Sequence, residues 1–200
     1  MTSRLVGVSG KKRHGKDTFA ERLTSIHGFT RVAFADPIRD ALLALNPYTA
    51  VEPDETGIIR DAAGYSLPAG KYRLAFLVKA AGWDAVKATR EGRRLLQDFG
   101  LGLRDTLHPD VWLDATMAKV DAISGPVVIT DVRFPNEVDA VKSHDRGLLV
   151  WVVNARIPET GDTHASETSV SIEDADVIVD NSSTIEALHR RADAVLHNDV

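Results

Sequence analysis

Gly10-Lys11-Lys12-Arg13-His14-Gly15-Lys16-Asp17-Thr18 follows an apolar run, Leu5-Val6-Gly7-Val8, and precedes residues with helical spacing. The stretch is one residue away from the G-x-x-x-x-G-K-[ST] loop that binds phosphate between a strand and a helix. Its glycines let backbone N–H groups turn inward on phosphate oxygens. Lys16 reaches the β- and γ-phosphates as a point charge, and the start of the helix adds the positive end of its dipole. Asp17 stands where Ser or Thr ordinarily meets magnesium. The strand-loop-helix context favours this reading over a basic turn before an ordinary helix. Lys11, Lys12 and Arg13 suit a polyphosphate, although each alone reads equally as a solvated side chain.

Working outward, Arg4–Ser9 reads as a buried parallel strand, and residues from Gly15 to about Ile26 as a helix with Phe19, Leu23 and Ile26 on one face. Phe29–Ala35 reads as a second strand. Pro37 at a first helical turn opens a helix that runs to Leu45. Tyr48–Lys71, rich in Gly, Pro, Asp and Glu, reads as an insertion, either a surface loop or a lid, with a hairpin between Ile58-Ile59-Arg60 and Tyr65-Ser66-Leu67. Helical spacing resumes over Tyr72–Ala81, Trp83–Leu103 and Asp110–Ile123. Val127–Asp131, Leu148–Asn154 and Val177–Asn181 read as strands, and Phe134–Ser143 as a helix. Ser183 and Glu186 have capping-box spacing ahead of a last amphipathic helix. Alternating strands and helices predict an α/β fold: a parallel sheet of about five strands covered on both faces.

The 200 residues fit one α/β domain with a small lid or insertion, able to bury about 70% of its unfolded surface. There is no cysteine, which excludes disulfides and thiolate chemistry and suits a cytoplasmic setting. The formal net charge of −5 argues against general nucleic-acid binding. The basic residues gather instead at Lys11–Arg13 and Arg90–Arg94, as a small anionic ligand requires. No segment approaches the length of about 18 apolar residues that spans a membrane, and Ser9 with the basic loop interrupts any signal-peptide core early.

Asp131 ends an apolar strand, the form of a carboxylate that holds the metal on a nucleotide. Its alternative is a cap on the next helix. Arg133, two residues on, either bridges phosphates or pairs with Glu137. Arg94 and Gln97 lie three apart on one helix face, where an Arg fork suits a phosphate and an amide suits a base edge. On composition alone they also read as a solvated face. Trp112 either stacks on a base or belongs to the core. His164 reads as a loop hydrogen-bonding residue, since no second ligand supports a metal there.

Ser9-Gly10-Lys11…Gly15-Lys16-Asp17-Thr18, Phe34-Ala35-Asp36-Pro37, Gly82-Trp83-Asp84, Leu95–Gly100, Asp110-Val111-Trp112, Ile129–Glu137 and His164-Ala165-Ser166-Glu167 run in order over most of the chain. Together they resemble the deoxynucleoside monophosphate kinases of tailed bacteriophages, within the P-loop kinase superfamily. Asp17 agrees with that family's loop; whether Asp17 or Thr18 reaches the metal is left open.

The resemblance implies a single P-loop kinase domain over 1–200. It is a three-layer sandwich with an insertion at about 48–71, an acceptor-binding helical region at about 72–123 and a lid at about 155–168. It implies transfer of phosphate from ATP, with Mg2+, to a deoxynucleoside monophosphate for DNA synthesis, in the host cytoplasm if phage-encoded. Lys16, Arg133 and Asp131 would carry catalysis, and Asp17 and Asp131 the metal. Gly10, Lys11, Lys12, Arg13, His14, Gly15, Lys16, Asp17, Thr18 and Arg156 would hold ATP. Asp36, Arg94, Gln97, Trp112, Arg133 and Glu167 would hold the acceptor. A homodimer through 48–71 is open. Rival readings are another small-molecule kinase, such as one resembling dephospho-coenzyme A kinase, and a nucleotide sensor. The absence of the N-K-x-D base-reading motif weakens a GTPase switch.

Overall fold

The structure, a computed structural model, describes residues 4–158 and 169–197. In chain order the elements are β1 (Leu5–Ser9), α1 (Lys16–His27), β2 (Thr30–Val32), α2 (Asp36–Leu45), β3 (Tyr48–Val51), β4 (Gly70–Arg73), α3 (Leu74–Ala88), α4 (Arg90–Thr106) and α5 (Val111–Asp121). They continue with β5 (Val127–Ile129), α6 (Pro135–Ser143), β6 (Gly147–Val153), β7 (Val177–Asp180) and α7 (Ile185–His197). The chain forms two compact units, one from Met1–Phe34 with Leu113–Val200 and the other from Ala35–Trp112. No helix among the described residues is long and apolar enough to cross a membrane.

In the first unit five strands pair in the order β2-β5-β1-β6-β7, all parallel. Side chains alternate across a strand, so each strand feeds two cores. Val6 and Val8 of β1, Val128 of β5 and Val150 and Val152 of β6 join Phe19, Ala20 and Leu23 of α1 and Leu188, Ala192 and Val195 of α7. Leu5, Val127, Ile129, Leu149 and Trp151 point the other way, onto Val120 of α5 and Val138 and Val141 of α6. The sheet is therefore covered on both faces, as the alternation of elements predicts. Gly7, central in β1, faces Val141 so closely that a Cβ would lie 3.0 Å from both its methyl groups. β2 is shorter than expected. Phe34, read as strand, instead donates its N–H to Asp131 Oδ1 at 2.7 Å, and α2 opens at Asp36-Pro37.

In the second unit the insertion is packed structure. β3 and β4 pair antiparallel from Tyr48 opposite Arg73 to Val51 opposite Gly70. The expected hairpin exists as a single bridge, Arg60 to Ser66, with Leu67 N–H donating to Ile59 O at 2.9 Å. Val51 and Ile59 are buried with Leu42, Leu74, Leu77 and Val86. Glu55, 4% exposed, accepts the Arg90 N–H at 2.6 Å and so fastens the insertion to α4. The helix expected over Trp83–Leu103 is broken at Thr89, whose backbone is extended. Its Oγ1 donates to Val86 O at 2.7 Å and accepts from Gly92 N–H at 3.1 Å, closing one helix and capping the next. Gly92 can pass because a Cβ there would sit 2.1 Å from Val86 O.

α1 and α7 are tied by Asp193. It accepts from Arg22 Nε and Nη2 at 2.9 and 2.8 Å and meets His27 Nε2 at 2.7 Å. Hydrogen bonds from Arg22 first, then His27, hold its carboxyl below the ordinary carboxylate range. A carboxyl depressed in the folded state contributes stability above its unfolded-state value and loses it as pH falls. We predict that Asp193→Asn unfolds at lower denaturant concentration than wild type. The deficit should be full above about pH 4 and shrink below it, as urea titrations at a series of pH values would show.

Candidate functional site

Parallel α/β sheets gather ligands at the carboxyl ends of their strands. Here that end of β1 carries the Gly10–Lys16 loop. Ser9, 4% exposed, donates its Oγ–H to Val132 O at 2.9 Å and holds the loop's root beside the chain leaving β5. Gly10 has φ +132° and lies against β6, so a Cβ there would be 2.3 Å from Val152 O. Gly15, the residue ahead of α1, has φ +98°, and its Cβ would be 2.2 Å from Asn181 Nδ2. A side chain at Gly10 would have to displace the Val152 backbone, and one at Gly15 the side-chain amide of Asn181, besides the strain of a positive φ at both.

His14 is turned inward and is 6% exposed. Its Nδ1 accepts the Asn154 N–H at 3.3 Å, and its carbonyl accepts from Asn181 Nδ2 at 3.0 Å. The ring therefore anchors the loop to the end of β6. Asn154 and Asn181, one at the end of β6 and one at the end of β7, were missed in the sequence reading. Asn154 directly follows the apolar run of β6, and Asn181 follows Asp180 at the end of β7.

Lys16 Nζ donates to Gly10 O at 2.6 Å and Lys11 O at 2.9 Å, folding back over the loop it follows. Lys16 lines a pocket with Ser9, Gly10, Lys11, Val132, Arg133, Trp151 and Val170. Lys12, Arg13 and Asp17 are exposed around it, and Thr18 is half-buried. The pocket thus joins two of the expected cations, Lys16 and Arg133, beside loop backbone.

Asp131 follows β5 and is oriented by the Phe34 N–H. The cap of α6 falls to Glu137, whose Oε2 accepts the N–H groups of Arg133 at 2.7 Å and Phe134 at 3.1 Å. Burial pushes the Glu137 carboxyl up to about 7 against the Arg133 N–H, and the nearby Asp131 charge adds to the rise. Asp131, Arg133 and Glu137 so form one charge cluster at the strand end.

Among the described residues no group of three or more His, Asp or Glu is placed to hold a metal ion. A magnesium ion on a nucleotide takes most of its ligands from phosphate and water and needs only one or two carboxylates. Asp131, with Asp17 or Thr18 at the first turn of α1, fits that donor set.

The expected acceptor residues Asp36, Arg94, Gln97 and Trp112 lie in the second unit. Asp36 opens α2, and its Oδ1 accepts from Arg39 Nη1 at 3.2 Å. Arg94 is exposed and ion-paired on both sides, to Glu91 and to Asp98. Gln97 is exposed. Trp112 donates its Nε1–H to Gly100 O at 2.8 Å, with its ring 5.8 Å from Phe99. Trp112 is half-buried in this arrangement. Arg156 is exposed in the first unit, and its N–H donates to Asn154 Oδ1 at 3.0 Å. Glu167 and His164 lie outside the described residues, as does most of the expected lid.

Gly15→Ala is predicted to lower both the melting temperature and nucleotide affinity. The strain of a left-handed alanine is about 1–2 kcal/mol, and the clash with Asn181 adds to it. Gly28→Ala, at φ +70° with open space around it, should lower only the melting temperature. Thermal unfolding with and without ATP reads both.

The sequence profile of the family described as deoxynucleotide monophosphate kinase matches residues 72–192, more than half of the chain. A protein of Acanthamoeba polyphaga mimivirus, provisionally named a deoxynucleotide monophosphate kinase, is 28% identical over 97% of this chain and 96% of its own length. Among solved structures, TT1252 from Thermus thermophilus is 18% identical with full coverage of both chains and a TM-score of 0.47. Dephospho-CoA kinase from Campylobacter jejuni is 17% identical over 98% of this chain and 96% of its own, with a TM-score of 0.46.

Proposed function

The chain belongs to the deoxynucleotide monophosphate kinase family, and on that premise we propose that it transfers the γ-phosphoryl group of ATP to a deoxynucleoside 5′-monophosphate. The product is the diphosphate, a precursor for DNA synthesis in the cytoplasm. The observation that carries this reading is the pocket in which Lys16 and Arg133 face the glycine loop together.

The donor belongs to the first unit. Lys16 Nζ, resting on the carbonyls of Gly10 and Lys11, exchanges them for β- and γ-phosphate oxygens. The ammonium is thus already held at the loop before ATP arrives, and little reorganisation is needed. Arg133 supplies a second cation as negative charge spreads over the transferring group. Lys12 and Arg13, exposed on the loop, add to the field that draws a polyphosphate in. Magnesium, when bound, neutralises phosphate charge; Asp131 and Asp17 or Thr18 are the residues that would hold it.

The acceptor belongs to the second unit, along α4. Its phosphate is largely dianionic at neutral pH, since the second ionisation falls near about 6. The nucleophilic oxygen therefore needs no general base. The γ-phosphorus–oxygen bond to ADP breaks as the bond to the acceptor oxygen forms, and both products leave as anions.

Lys16→Ala is expected to cut acceptor-stimulated ADP release by about a hundredfold or more. Circular dichroism should show the fold intact, because Lys16 serves no hydrophobic cluster. Unchanged turnover in a folded variant would remove the loop from the reaction.

A further inference from the structure

α4 carries three arginines in its first half, and the structure divides them by what they touch. Arg90 is committed to the insertion, with Nη2 on Asp54 at 2.9 Å and Nε 3.6 Å from buried Glu55. Arg94 is committed to its own helix. Its Nε and Nη2 donate to the two Glu91 oxygens at 2.8 Å each, and its Nη1 donates to Asp98 Oδ2 at 2.7 Å. Arg94's hydrogen bonds hold the Glu91 carboxyl below its usual range. One guanidinium against two carboxylates leaves that spot net negative, and a phosphate dianion is repelled from it.

Arg93 is different. It is exposed, and its guanidinium has no hydrogen bond or ion pair among the described residues. Glu91 is two residues away and so on another side of the helix. Gln97, one turn on from Arg93, is likewise exposed with an unpartnered amide among the described residues. Leu101, a further turn on, is 57% exposed although its helix packs half-buried Leu96 and Phe99 against the second unit's core on the opposite side. Residues four apart rise about 6 Å along a helix and stay on one stripe. The stripe runs from a free cation, through an amide, to an apolar side chain. A nucleoside monophosphate presents a phosphate, a polar sugar and base edge, and an apolar base face in the same order.

We infer, resting on the kinase reading above, that Arg93 rather than Arg94 takes the phosphate of the acceptor, with Gln97 and Leu101 contacting the nucleoside along the same stripe of α4. Arg94 is a brace that stiffens the helix presenting them.

The test is steady-state kinetics of wild type, Arg93→Ala, Arg93→Lys and Arg94→Ala, varying each deoxynucleoside monophosphate at saturating Mg-ATP and then ATP at saturating acceptor. Arg93→Ala should raise the acceptor KM about tenfold to hundredfold, the loss expected for a charge-assisted hydrogen bond, with a far smaller change in the ATP KM. Arg93→Lys should recover part of that loss, keeping the charge without the fork. The rise in Arg94→Ala should be several-fold smaller than in Arg93→Ala. A larger acceptor effect in Arg94→Ala, or equal effects of Arg93→Ala on both substrates, would overturn the assignment while wild-type turnover leaves the kinase reading standing. Wild-type enzyme that phosphorylates none of the four would overturn both. All three substitutions sit on exposed positions, and circular dichroism verifies that each variant is folded.

Discussion

The contact on which the proposed donor site depends is the seating of the Gly10–Gly15 backbone against the ends of β6 and β7. At Gly10 the main chain is pressed against the Val152 carbonyl, and at Gly15 against the Asn181 amide. Between them, His14 joins the Asn154 N–H through its ring and Asn181 through its carbonyl. These bonds pair part-buried polar groups, each contributing about 0.5–1.5 kcal/mol net. They also fix a backbone that three left-handed residues, Arg13 and the two glycines, would leave free to collapse. A loop held this way presents its donors without being ordered by the ligand, which is where affinity for a flexible polyphosphate is usually lost.

The sheet makes that seating possible. β1 lies in the middle of the order β2-β5-β1-β6-β7, with β6 alongside it, so the loop that leaves β1 meets the residues leaving β6. On the other side of β1, β5 delivers Asp131 and Arg133. Charge at this end is balanced locally. Glu137, half-buried beside Asp131, has its carboxyl raised to about 7, so the cluster carries less negative charge near neutral pH than its two carboxylates suggest. On the proposed reading, repulsion of a polyanion by a second carboxylate is thereby reduced.

Much of this was legible in the chain. The glycine spacing placed the loop, the apolar runs placed all five strands of the sheet, and the carboxylate after β5 was found from its position alone. The misses have physical causes. β3 and β4 are separated by a long segment, and no local pattern announces a partner so far off. The break at Thr89 rests on one hydroxyl serving two helices, in a sequence whose helical periodicity runs through it. His14 occupies a variable position of the loop motif, where spacing says nothing about which way the ring turns. The contrast between Arg93 and Arg94 was partly readable, since Glu91, Arg94 and Asp98 stand at helical pairing distances. The spacing to Gln97 singled out Arg94 alone, and the carboxylates that flank it at pairing distance were not weighed against it.

The account's central claim is phosphoryl transfer to a deoxynucleoside monophosphate. Its most direct test is ADP release with Mg-ATP against the four deoxynucleoside monophosphates, their ribose counterparts and dephospho-coenzyme A. Turnover stimulated by one or more of the deoxynucleotides, and not by dephospho-coenzyme A, is the result predicted. Stimulation by dephospho-coenzyme A alone, or ATP binding with no acceptor-dependent turnover, would contradict it.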